Sequence, residues 1–199
     1  AITSQKYGTS NVPLVVIGSS TGGPNALSVV LRGLTVVPSC CTVIVQHIDV
    51  AYAPGLTHWL TGEIKRPVKV ATEGDSLSTG SIIVASSADH LVLRDGLLRY
   101  VVEPAEQIFR PSVDVFFASV VQERVRPSVA ILLTGMGRDG AHGMRSLRDA
   151  GWHTIAQDQA TSVVWGMPGS AVEVGGVVEI LPLDQIGAAA SRWVESRVA

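Results

Sequence analysis

Three short apolar runs, each rich in β-branched residues and each ending in small or polar residues, restrict most what this chain can fold into. They are Val12–Gly18, Cys41–Val45 and Val129–Thr134. A strand with one wet face alternates apolar and polar residues. Continuous runs of this kind suit strands covered on both faces, as in a parallel sheet between helical layers. Helical stretches separate the runs, and strands alternating with helices indicate an α/β domain with a mostly parallel, doubly wound sheet.

The turns between these elements supply the remaining boundaries. After the first run comes Ser19-Ser20-Thr21-Gly22-Gly23-Pro24, with Pro24 at the first position of a helix that runs to about Leu31. A second helix is expected over Pro54 to about Ile64, a third over Val113 to about Glu123 capped by Ser112, and a fourth over about Ala141 to Ala150 closed by Gly151. Shorter strands are expected at Val68–Val70, Ser81–Ala85, His90–Arg94, Leu97–Val102, His153–Ala156 and Val177–Ile180. The Asp95-Gly96 pair between two apolar segments predicts a short antiparallel hairpin at one edge of the sheet. Asp184 is the expected cap of a final helix.

The chain has 199 residues, enough for one domain with a core of its own. A formal net charge of -2 gives no support to polyanion or nucleic-acid binding. No apolar run reaches the roughly 20 residues of a membrane span, so no direct membrane insertion is expected. The first 11 residues are polar and read as a linker, with one domain over 12–199; something is expected to have preceded that linker. Cys40 and Cys41 are adjacent and form no CxxC pair, so they read as small buried residues in a reducing, cytoplasmic setting.

Chemistry concentrates in three segments. Gly18, Ser20 and Gly22 match G-x-S-x-G at a strand-to-helix turn, which exposes a serine near amides able to face a developing negative charge. His47 ends the second run, and an ordinary imidazole, titrating at about 6.5, suits a general base. Asp139 lies in Thr134–Gly140 after the third run. Each has an ordinary alternative: a tight turn or phosphate loop, a structural histidine, a helix cap. Together they sit at the carboxyl ends of parallel strands, which share one edge of the sheet, where ligand crevices form. Ser20, His47 and Asp139 are therefore the candidate triad, with Asp49, Asp114 and Asp158 as alternative acids.

Other chemistries fit less well. The first turn lacks G-x-G-x-x-G spacing and a P-loop lysine. His58, His90, His142 and His153 form no metal-ligand motif, so neither metal nor cofactor is expected. Arg110 either binds a substrate carboxylate or caps a helix.

IGSSTGGPNAL, VQHI, IFRPSVDVFFASV, ILLTGMGRDGAHGM and AQDQATSVVWGMPGSAV, in this order, strongly resemble the catalytic domain of chemotaxis-receptor protein-glutamate methylesterases. The resemblance runs from about Val12 to the end. It implies a hydrolase that also deamidates receptor glutamines, with Ser20, His47 and Asp139 as triad and the Thr21 and Met136 amides as oxyanion donors. It implies as partners the cytoplasmic helical domain of a methyl-accepting receptor and a receiver domain outside this chain. The sequence departs from the family's pattern at Ser86-Ser87, at Ile48-Asp49-Val50 after His47, and at Trp165. A catalytically silent receptor-binding module and a small-molecule esterase are the alternative functions.

Overall fold

A computed structural model describes residues 12–198; the expected linker over 1–11 lies outside the described residues. The chain runs β1 (Leu14–Ser19), α1 (Gly23–Gly33), β2 (Cys41–Gln46), α2 (Ala53–Ile64), β3 (Lys69–Val70), β4 (Ile82–Val84), β5 (His90–Arg94), β6 (Leu97–Val101), α3 (Val113–Gln122), β7 (Val129–Leu132), α4 (Ala141–Asp149), β8 (His153–Gln157), α5 (Gly166–Glu173), β9 (Glu179–Leu181) and α6 (Leu183–Val198).

Seven strands form one parallel sheet in the order β3-β4-β2-β1-β7-β8-β9. Alternate residues of each central strand feed two cores. Val15, Ile17, Ile44 and Ile131 pack with α1, α2 and α6 on one face. Leu14, Val16, Val43 and Leu132 pack with α3, α4, α5 and the hairpin on the other. That two-sided cover explains why β1, β2 and β7 are buried at every position, including Ser19 and Gln46. Cys40 and Cys41 are free thiols in this interior, and burial pushes both up to about 11.

The expected hairpin forms, with Asp95 at φ 53° and Gly96 at φ 74° in its turn. It makes a two-stranded sheet of its own rather than extending the edge of the main one. Its edges find other partners. The Leu93 amide donates to Ser119 Oγ on α3 at 2.9 Å, and the Tyr100 amide donates to Glu73 Oε2 at 2.8 Å.

Helix α5 has no counterpart among the expected elements. Gly166, Pro168 and Gly169 look like turn residues, but the two glycines serve packing. A Cβ on Gly169 would meet the Trp165 ring at 2.9 Å, and one on Gly166 would meet Gly135 O and Gly137 N at 2.9 Å. Asp184 lies inside the first turn of α6 rather than capping it, where its charge still faces the amide end of the helix. Among the described residues no helix is long and apolar enough to cross a membrane.

Candidate active site

Strand order reverses at β1: the chain leaves it for β2 on one side and returns as β7 on the other. In an open α/β sheet the crevice forms at the carboxyl ends around such a point. Ser20 follows β1, His47 follows β2, and Asp139 lies in the loop after β7.

In-register pairing sets the first two side by side. Ser19 pairs with Gln46, and the His47 amide donates to Ser19 O at 3.0 Å. The buried Gln46 side chain then clamps both turns. Its Nε2 donates to Ser20 O at 3.0 Å and to His47 O at 2.9 Å, while its Oε1 accepts from Ser19 Oγ at 2.6 Å. Ser19 is thus fully buried in packing, while Ser20 after it is half-buried. The Ser20 amide also donates to Thr134 O at 3.0 Å. A Cβ on Gly135 would lie 2.8 Å from Ser20 Cβ, so the glycine lets the two loops touch.

The third loop is stitched to its neighbours. Thr134 Oγ1 donates to Thr21 O at 2.9 Å and accepts from the Val164 amide at 3.0 Å. The Thr134 amide donates to Gln157 Oε1 at 2.8 Å, and Gly135 N donates to Val164 O at 2.9 Å. Trp165 is held by its Nε1–H on Gln157 O at 2.9 Å.

Asp139 is the most heavily bonded group of the site. Its Oδ2 accepts from His47 Nε2 at 2.7 Å and from the Val113 amide at 2.7 Å. Its Oδ1 accepts from Ser112 Oγ at 2.8 Å and the Asp114 amide at 2.9 Å. Ser112 also caps α3, accepting from the Val115 amide, so the carboxylate sits on the amide end of that helix. Burial alone raises its pKa, but the His47, Asp114, Val113 and Ser112 hydrogen bonds outweigh it and hold the group below the usual carboxylate range. An ionised Asp139 makes His47 Nε2 the protonated nitrogen and leaves Nδ1 as the acceptor.

That Nδ1 is buried and has no hydrogen-bond partner among the described residues. The Ser20 to His47 bond is therefore not closed in this structure, a common state of such pairs before substrate binds. The aspartate–histidine half of the candidate triad is formed, and the serine stands beside it. Neither the Thr21 nor the Met136 amide donates to another group among the described residues.

The alternative acids have other work. Asp49 accepts from the Ala51 amide and Asp158 from Thr161, both in local turns. Asp114 Oδ1 accepts from the Gly143 amide at 2.6 Å on α4; burial pushes its pKa up, and the Asp139 charge adds to that. Arg110 donates to Ala105 O and so braces its own loop. His90 is buried: its Nδ1 accepts from the Ser112 amide at 3.2 Å, which leaves Nε2–H to donate to Pro104 O at 3.1 Å. No group of three or more His, Cys, Asp or Glu able to hold a metal gathers among the described residues.

Sequence reasoning missed Gln46 as a clamp, the α3 amides as the seat of Asp139, and Phe109, whose ring stacks on His47 at 4.3 Å between centroids and 6° between planes. The only signals were their places inside the VQHI and IFRPSVD segments.

The family model of CheB methylesterase matches residues 15–190. A protein-glutamate methylesterase/protein-glutamine glutaminase of Mesorhizobium japonicum is 49% identical over 184 residues, covering 92% of this chain and 53% of that relative. A relative of the same designation from Burkholderia lata is 50% identical over 175 residues, covering 87% of this chain and 52% of its own length. The chain thus spans about half the length of these curated relatives. The crystal structure of the Thermotoga maritima CheB methylesterase catalytic domain superposes with a TM-score of 0.84 at 31% identity, covering 92% of this chain and 99% of that one.

Proposed function

The chain belongs to the CheB methylesterase family, and from that premise we propose that it removes methyl esters from glutamate side chains of a bacterial methyl-accepting receptor and deamidates receptor glutamines. The observation that carries the chemistry is the 2.7 Å Asp139–His47 bond beside a serine held at the next strand end. Residues 12–199 act as the catalytic domain and 1–11 as a linker.

Ser20 Oγ attacks the ester carbonyl carbon. His47 Nδ1 takes the serine proton as the Oγ–C bond forms, and Asp139 stabilises the resulting imidazolium. The Thr21 and Met136 amides bind the oxyanion, each worth on the order of 10²–10³ in rate. His47 then hands its proton to the departing methoxide, and methanol leaves. Water attacks the acyl-enzyme with His47 again as base, giving free glutamate and Ser20–OH. With a glutamine substrate, ammonia leaves instead. The substrate is presented on the helical cytoplasmic part of the receptor, so the reaction lies on the cytoplasmic side and serves receptor adaptation. If the parent protein carries a receiver domain, that domain controls access.

The test is methanol release from a methylated receptor cytoplasmic fragment by this chain and by its Ser20→Ala variant. Release by the first and not the second supports the reading. Hydrolysis of small esters alone points to a small-molecule esterase, and no hydrolysis with receptor binding retained points to a silent binding module.

A further inference from the structure

Resting on the assignment of His47 as the base, we infer that Phe109 is its positioning residue: a ring laid against the imidazole that fixes the plane in which Nδ1 waits for the serine. Among the described residues His47 has one side-chain hydrogen bond, through Nε2 to Asp139. The imidazole is attached through Cβ–Cγ and tied at Nε2 on the far side of the ring, so rotation about Cβ–Cγ is the motion left to it, and that rotation swings Nδ1 out of its plane. The parallel Phe109 face, 4.3 Å away and 6° from coplanar, blocks that motion.

The same contact keeps water from the base. Phe109 is 40% exposed and its neighbour Ile108 is 91% exposed, yet the His47 side chain is only 8% exposed. The segment carrying Phe109 is braced independently of substrate. Pro104 O accepts from His90 Nε2, the Ser112 amide donates to His90 Nδ1, and Arg110 Nη2 donates to Ala105 O at 2.6 Å. When His47 becomes imidazolium, the ring face offers it a cation–π contact well inside the ~6 Å limit of that interaction.

Phosphonylation of Ser20 by an organophosphorus fluoridate reads this without a receptor. The rates would be measured for wild type, Phe109→Ala, Phe109→Leu, Phe109→Tyr, Ser20→Ala and His47→Ala, with thermal melts of each. The expectation is a limiting rate on the order of 10- to 100-fold lower for Phe109→Ala, half-saturation unchanged, as for a misplaced reacting group. Phe109→Tyr restores the rate and Phe109→Leu does not. A wild-type rate in Phe109→Ala, or full recovery with Leu, overturns the inference while leaving the triad standing. Labelling that survives Ser20→Ala or His47→Ala, or no labelling of the wild type, overturns the triad reading and this inference with it.

Discussion

Asp114 and Asp139 each close the helix that the other belongs to or precedes. Asp139, one residue before the cap of α4, receives the Val113 and Asp114 amides at the start of α3. Asp114, in the first turn of α3, receives the Gly143 amide of α4 at 2.6 Å. The two helices are locked start to start, and the acid of the candidate triad is one half of the lock.

Asp139→Asn should disable both halves of its role. Four donors converge on the two carboxylate oxygens, two on each, so two of them must face the new NH₂ group. Labelling or methanol release should fall by about 10⁴-fold, the scale seen when a triad aspartate becomes asparagine. Urea denaturation should show a loss of about 1–3 kcal/mol, the cost of a buried unsatisfied group. A variant as stable and as active as wild type would contradict the assignment.

The acid limb of stability should carry two opposing trends. Asp139 has a lowered folded pKa, so it stabilises above its unfolded value, and that contribution is lost as pH falls through the lower folded pKa. Asp114 has a raised folded pKa, so its buried charge weakens the fold at neutral pH and is relieved as pH falls through that raised value. Asp114→Asn keeps an acceptor for Gly143 and removes the relief. Its urea midpoint should fall more steeply between pH 6 and pH 3 than that of wild type (a range from about two units above to about one unit below ordinary carboxylates). Superimposable profiles would show that the pair does not titrate this way.

Gly135→Ala should injure catalysis more than folding. The new methyl group meets Ser20 Cβ and the flexible sulfur of Met167. Met167 can yield, at an overpacking cost of about 1–3 kcal/mol. The serine cannot yield without leaving the strand end, and a displacement of that size should cost on the order of 10²-fold in rate. Labelling kinetics beside a thermal melt separate the two effects.

Gln46→Glu tests the clamp. The carboxylate still accepts from Ser19 Oγ but cannot donate, and it faces two carbonyl oxygens. Stability should fall by about 1–3 kcal/mol, and the labelling rate should drop as Ser20 and His47 lose their common tether. An unaltered rate would show that strand pairing alone holds the two turns.

What was legible in the sequence follows from range. Burial on both faces writes β1, β2 and β7 as uninterrupted apolar runs, and strand ends then mark Ser20, His47 and Asp139 without any contact being known. Helix α5 was hidden because Gly166 and Gly169 were chosen by Gly137 and Trp165, partners that a local pattern does not contain. The hairpin's detachment was hidden for the same reason, since Ser119 and Glu73 claim its edges from afar. Phe109 and the Gln46 clamp depend on which loops meet above the sheet, and no spacing encodes that.

The Val113 side chain fills the space left by two glycines. A Cβ on Gly18 would meet it at 2.5 Å and one on Gly140 at 2.8 Å. Residues from the first strand, the third helix and the loop of Asp139 must therefore arrive together before the carboxylate finds its amides. On the proposed triad, a chain emerging from the ribosome would carry Ser20 and His47 long before Thr134, whose carbonyl accepts from the Ser20 amide, and Asp139 are made. On that reading, hydrolysis would switch on only with the last third of the chain.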